Sequence, residues 1–174
     1  LHDALPISDS AVKKGALYFC HPRDCRLAVS EGLSVAQDKK QMDKRPGFIM
    51  GMFAYGHPFL DGNGRTMLLV HAELCFRANM SVNWMRTSKQ PYLDALTKEI
   101  QAPNDGHLDA YLKPFIAPQI PRDNWLQSVS DLPGLDGIDA ESDVSAGYSD
   151  PAITKEYQEF ERRRGYQLDN KHAH

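Results

Sequence analysis

No stretch of the 174 residues approaches the run of about 18 apolar residues that a helix needs to cross a bilayer, so no membrane-spanning helix is expected. Positive charge is not in excess: 20 Lys and Arg face 23 Asp and Glu, giving a net charge of −3. With a pI near 6.2 there is no basic face for a nucleic-acid backbone. Cysteine is scarce, three in number and therefore odd, and without a signal-like start this implies reduced thiols and a cytoplasmic setting, with secretion as an effector left open. Cys20, His21 and Cys25 lack the fourth ligand that a closed structural zinc site needs, and Cys75 lies in an apolar stretch where a small core side chain is expected. No internal repeat is found at any period. From Asp123 to Thr154 there is no Lys or Arg at all. Asp131, Asp136, Asp139, Glu141, Asp143 and Asp150 accumulate there among Ser and Gly, which is the composition of a linker. Leu1–Ser8 fits no pattern and is treated as an assembly scar at the edge of a fragment.

What is present is 41% apolar residues, enough for one real core, and one dense cluster of chemistry. Residues 57–65 read His-Pro-Phe-Leu-Asp-Gly-Asn-Gly-Arg. The apolar stretch from Thr66 to Phe76 is free of Gly and Pro and too long for a strand, which predicts a buried helix of about four turns beginning near Asn63. A helix start leaves backbone N–H groups unpaired and carries about half a positive charge, so it binds anions. Gly62 and Gly64 are expected at φ > 0, letting phosphate oxygens reach the main chain. Asn63 can donate its amide, and Arg65 offers a planar fork of donors to the same anion. Asp61 supplies a hard oxygen ligand suited to Mg²⁺ shared with phosphates. Pro58 biases His57 to extended geometry, off the helix and facing the anion pocket, where a neutral imidazole could deprotonate a hydroxyl. Each piece alone is ordinary turn chemistry; the ordered combination ahead of an apolar helix is what points to a polyphosphate site with a base attached.

These residues resemble the signature of the Fic family, His-Pro-Phe-x-Asp/Glu-Gly-Asn-Gly-Arg-x-x-Arg, at eight of its nine fixed positions. The resemblance implies an all-α fold, a Fic-type helical bundle with a short β-hairpin flap near the N-terminus. It implies transfer of AMP from ATP to a Ser, Thr or Tyr hydroxyl of a target protein. By position, His57 would be the general base, Phe59 would anchor the loop in the core, and Asp61 would hold Mg²⁺. Gly62, Asn63 and Gly64 would bind the α- and β-phosphates, and Arg65 would neutralise the polyphosphate. The second arginine of the signature is Leu68 here, on the same helical face as Arg65 and unable to donate a hydrogen bond to a γ-phosphate. The Doc branch also resembles this chain in having Leu there, and moves the γ-phosphate instead, although it has Ala and Lys where Gly62 and Gly64 stand. A Doc-like phosphotransferase and a non-catalytic Fic-shaped interaction module are the alternatives. The inhibitory Ser/Thr-x-x-x-Glu-Gly/Asn motif of the family is absent, since Glu31-Gly32 has Leu27 at the hydroxyl position. An antitoxin or regulatory helix, in trans or upstream, is a further partner that the resemblance allows.

The remaining elements are read around that motif. Gly15 to Phe19 resembles the flap, which would dock a target segment by strand addition. Asp24 to Gln41 reads as a helix with Leu27, Val29, Leu33 and Val35 inward, and Gly47 to Gly56 as a core helix, ended by Gly56, that holds His57; Met50 and Met52 are expected to pack. Helices are expected over Pro91 to Gln101 and His107 to Ile116, and likeness to the family makes Tyr92 and Asn104 candidate contacts to the nucleotide base, with aromatic packing and an ordinary turn as the plain alternatives. Residues 9–118 are thus expected to form a Fic-like catalytic domain, 119–154 an acidic linker, and 155–174 a C-terminal helix and tail that either docks on the bundle or meets a partner.

Overall fold

The computed structural model describes residues 10–59, 62–124, 127, 143–147 and 150–168. In chain order these form β1 (Ser10–Lys14), β2 (Leu17–Tyr18), α1 (Cys25–Gln37), α2 (Lys39–Lys44), α3 (Pro46–Gly56) and α4 (Asn63–Arg77). There follow β3 (Met80–Val82), α5 (Lys89–Gln101), α6 (His107–Leu112), β4 (Ile116–Pro118), β5 (Asp143–Gly147) and α7 (Pro151–Arg164). The fold is all-α with a short N-terminal hairpin, as the sequence implies. No helix among the described residues is long and apolar enough to cross a membrane.

α3 is apolar on every side, Pro-Gly-Phe-Ile-Met-Gly-Met-Phe-Ala-Tyr-Gly, and all of its residues are buried. A helix without a polar face has no position except the middle of a bundle. It packs against α1, α4, α5 and α6, and each large side chain it removes from water contributes about 2 kcal/mol. Met50 and Met52 are packing residues in this core.

Small residues decide how closely its neighbours approach. In α1 the buried stripe is Cys25, Ala28, Gly32 and Ala36 together with Glu31, and Leu33, expected inward, is 38% exposed. The reason is steric: a Cβ on Gly32 would lie 2.8 Å from Phe53 Cε1 and 3.1 Å from Met52 Cβ, so α1 meets α3 through its smallest residues, not its largest. The expected single helix to Gln41 also breaks at Asp38, whose backbone is extended and whose carboxylate accepts from the Lys40 amide at 2.8 Å to start α2. α4 begins at Asn63 as expected, but it is not buried all round: Met67, Leu68, His71 and Cys75 face the core while Leu69 and Val70 face solvent.

Polar groups fix the bundle's register. The fully buried His71 donates from Nε2 to the Pro46 carbonyl at 2.8 Å, leaving Nδ1 to accept from the Cys75 thiol at 3.5 Å. The Gly47 amide donates to Asp109 Oδ1 at 2.6 Å, tying α3 to α6. Glu99 Oε2 accepts from the Leu108 amide at 2.9 Å, and burial pushes its carboxyl up to about 7.

The acidic stretch is not solely a linker. β5 pairs antiparallel with β1, giving the sheet order β2-β1-β5, with Val12 opposite Val144 and Lys13 opposite Asp143. The final helix starts at Pro151 instead of residue 155, because the Asp150 carboxylate caps it by accepting from the Ala152 amide at 2.8 Å. It docks on the bundle. Tyr55 donates to Glu161 Oε1 at 2.6 Å, the His21 amide donates to the Tyr157 hydroxyl at 3.1 Å, and Arg164 lies over the Tyr55 ring at 3.7 Å while donating from Nε to the Ile100 carbonyl at 2.9 Å. β3 pairs with β4 to close the other end.

Two glycine-to-alanine variants separate soft from hard contacts. At Gly47 an added Cβ would fall 2.3 Å from the Asp109 backbone nitrogen and 2.5 Å from the Leu108 carbonyl carbon. Backbone cannot rotate away, so Gly47→Ala is expected to destabilise by more than the roughly 1–3 kcal/mol typical of overpacking, and Gly32→Ala, which meets side chains, to fall within that range. Urea unfolding midpoints of the two variants check the order.

Candidate functional site

The site is built where α3 ends and α4 begins. α3 terminates on His57, which adopts the left-handed conformation at φ 39° and ψ 56° and donates its amide to the Phe53 carbonyl at 3.3 Å. The expectation of an extended His57 is therefore corrected. Helix termination, which places an αL residue after the last helical one, outweighs the preference imposed by Pro58, and Gly56 is the last helical residue, where a side chain would press on Val29 Cγ2 at 3.0 Å. The αL turn reverses the chain and sets the His57 ring against Phe19, with ring centroids 4.0 Å apart and planes at 27°.

That stacking makes Phe19 a site residue that the motif alone does not reveal. It stands at the end of β2, its amide donates to the Val12 carbonyl at 3.0 Å, and the next residue, Cys20, donates to the Tyr55 carbonyl at 2.9 Å. The hairpin is thereby joined to the end of α3. Burial lowers the His57 pKa to about 4, so the ring is neutral at neutral pH, and its buried Nε2 has no hydrogen-bond partner among the described residues.

On the other side of the turn, Gly62 sits at φ 78°, a left-handed position that only glycine occupies without strain, and precedes α4 with no side-chain cap. Gly64 is not at φ > 0; it lies within the first turn of α4, and a Cβ there would meet nothing within 4 Å. Among the described residues the space beside Gly64 is thus open for steric reasons, not conformational ones. The Thr66 amide donates to the Gly62 carbonyl at 2.9 Å, and the amides of Asn63 and Gly64 come before it in the helix. The guanidinium of Arg65 folds back over Gly62, close enough that an added Cβ would be 3.4 Å from Nη2. Positive charge is gathered at the helix start.

Asn63 has a second role. Its Oδ1 accepts from the Phe59 amide at 2.9 Å and its Nδ2 donates to the Phe59 carbonyl at 2.6 Å, so one side chain clamps the loop shut. Phe59 is held by its backbone; its half-buried ring is not part of the core, contrary to the expectation that the ring anchors the loop. Leu68, in the place of the signature's second arginine, is buried in the core. Asp61 lies outside the described residues. Among the described residues no cluster of three His, Cys, Asp or Glu could hold a metal ion.

Tyr92 and Asn104 stand at opposite ends of α5. Tyr92 stands in the first turn of α5 and packs edge-on against Trp84 at 5.4 Å, whereas Asn104 is exposed in the turn after the helix.

These features define a class: an all-α protein in which a buried helix delivers a neutral histidine beside a glycine-started, arginine-covered helix. Residues 5–75 match the model of the Fic/DOC family. The match spans the hairpin and runs to Cys75, near the end of α4, and so takes in both sides of the turn. No curated protein matches the chain.

The depressed His57 pKa has a measurable sign. In the unfolded chain the ring binds a proton below its ordinary pKa of 6.5, whereas the folded protein keeps it neutral down to about 4. Stability is therefore expected to fall as pH drops from about 6.5 to about 4, and buried His71, also lowered to about 4, acts in the same direction. An NMR titration of the His57 ring should show a midpoint near 4 that moves up towards 6.5 in Phe19→Ala, as water reaches the imidazole.

Proposed function

We propose that the protein is a nucleotidyltransferase that moves AMP from ATP to a Ser, Thr or Tyr hydroxyl of a target protein. One observation carries the reading: the buried Nε2 of a neutral His57, without a hydrogen-bond partner among the described residues and held at the turn between α3 and α4. A buried nitrogen without a partner is costly, and an attacking hydroxyl would both satisfy it and give up its proton to it. The hydroxyl oxygen forms the new bond to the α-phosphorus, the bond from that phosphorus to the oxygen bridging the β-phosphate breaks, and pyrophosphate leaves. Polyphosphate charge beside the ring would raise the His57 pKa from its resting value and make it a stronger base.

The first-turn amides of Asn63 and Gly64 and the Arg65 fork would bind the phosphates, and stabilising charge by preorganised donors is the main requirement of phosphoryl chemistry. Asp61 would hold Mg²⁺, which binds through one carboxylate together with substrate phosphates and would neutralise their charge. Among the described residues β2 pairs on one side only, with β1, while β1 is flanked by β5. The open edge of β2 leads through Phe19 to His57, so a target strand added there would bring its hydroxyl towards the ring. Tyr92 and Asn104 would be the candidate contacts to the base. The reaction would take place in the cytoplasm or after secretion.

Leu68 favours a second reading, transfer of the γ-phosphate, because no second arginine clamps the γ position. Incubation with lysate, Mg²⁺ and ATP labelled at the α or the γ phosphorus separates the two. Label from the α position is expected, and label from γ alone would replace the first reading with the second. His57→Ala should lose at least about 100-fold in transfer, the usual worth of a general base, with nucleotide binding retained. Asp61→Ala should lose activity and Mg²⁺ dependence together. Absence of label from both positions would leave a Fic-shaped interaction module.

A further inference from the structure

Cys20 and Cys25 lie five positions apart, and the fold closes the loop between them so that their sulfur atoms stand 3.3 Å apart. Both are buried, at 4% and 8% exposure, and neither is bonded to the other. We infer that Cys20 and Cys25 form a redox-active dithiol that closes to an intramolecular disulfide and thereby reports the oxidation state of the cell to the His57 site.

The two thiols differ in chemistry. Cys20 donates to Cys25 or, alternatively, to the Gly56 carbonyl at 3.3 Å. Cys25 is the first residue of α1, where the helix dipole favours a thiolate. The hydrogen bond from Cys20 lowers the Cys25 pKa although burial opposes it, and burial raises that of Cys20. Asp24 pushes both thiols up, and Arg164 opposes it at Cys20. Cys25 is thus the nucleophile and Cys20 the resolving thiol. With a peroxide as oxidant, the Cys25 thiolate attacks one peroxide oxygen, the O–O bond breaks and hydroxide leaves, giving a sulfenic acid. Cys20 then attacks that sulfur, its proton and the departing hydroxide forming water; the peroxide is reduced by two electrons and the two thiols are oxidised by two. Closing the pair requires the sulfurs to move from 3.3 Å to about 2.05 Å, a small displacement for two adjacent side chains.

The displacement is felt at His57. Cys20 is next in the chain to Phe19, which stacks on the His57 ring, and its thiol contacts the carbonyl of Gly56, the residue before His57. Drawing Cys20 towards α1 removes the thiol donor from Gly56 and tilts Phe19. Cys75, 1% exposed and paired with His71, has no thiol neighbour in the core and is the internal control.

The experiment uses the full chain, reduced, then exposed to hydrogen peroxide or oxidised glutathione, alkylated and digested with trypsin. Cleavage after Lys14, Arg23 and Arg26 places Cys20 in Gly15–Arg23 and Cys25 in Asp24–Arg26, so the two peptides travel together only when bridged. The bridged pair should appear with oxidant, disappear with dithiothreitol, and leave Cys75 as a thiol. In NMR spectra the His57 ring resonances should shift on oxidation of the wild-type protein and not of Cys25→Ser. Retention of both thiols, or a sulfinic acid on Cys25 without linkage, would overturn the dithiol. A bridge that leaves the His57 resonances unmoved would overturn its coupling to the site. Neither readout depends on transferase activity, so failure here is distinct from failure of that reading.

Discussion

The burial of Pro46–Gly56 on every face is the constraint from which the rest of the structure follows. A helix with no polar side must be surrounded, and α1, α4, α5 and α6 surround it. Polar chemistry reaches the centre of the bundle at its two ends. At the N-terminal end, Pro46 and Gly47 present a carbonyl and an amide to His71 and Asp109. At the C-terminal end the chain has to leave the core abruptly. It does so through a left-handed His57, and the imidazole is caught between the bundle and the hairpin.

The same constraint explains the electrostatics. Burial is the first cause of the raised Glu99 carboxyl and of the lowered pKa values of both His57 and His71. In the interior each group is driven to its neutral form unless a charge partner compensates. His71 answers with a hydrogen bond to the Pro46 carbonyl, and Glu99 accepts one from the Leu108 amide at Oε2 while its Oε1 has no partner among the described residues. Nε2 of His57 likewise has none among the described residues, and it differs in lying at the turn that follows α3. Folding and the candidate chemistry therefore draw on one physical effect, the removal of water.

Much of this was legible in the chain. The start of α4 at Asn63 and the turn glycine at position 62 were marked by local signals, helix periodicity and positive-φ chemistry, and the hairpin by the family resemblance. The misreadings share a cause. Leu33 was expected inward because hydrophobicity was weighed and size was not, yet two helices approach through Gly32 and Ala28. Phe59 was expected in the core, but a side-chain amide from Asn63 holds its backbone instead. The stretch around residues 143–147 reads as linker by charge, and a strand added to an existing edge needs main-chain pairing more than any particular side chain.

By itself the sequence determined which elements exist and which residue types meet at the turn: the apolar period of α3 and α4, the glycine that opens α4, and the ordered His-to-Arg cluster. Local propensity and spacing act over a few residues, and those are fully specified by neighbours in the chain. Only the tertiary structure decided that Phe19 covers His57, that Cys20 and Cys25 nearly touch, that Tyr92 packs on Trp84, and that α7 lies on the bundle through Tyr55. Those outcomes depend on which faces remain after α3 has been enclosed, and close packing settles that for the whole molecule at once.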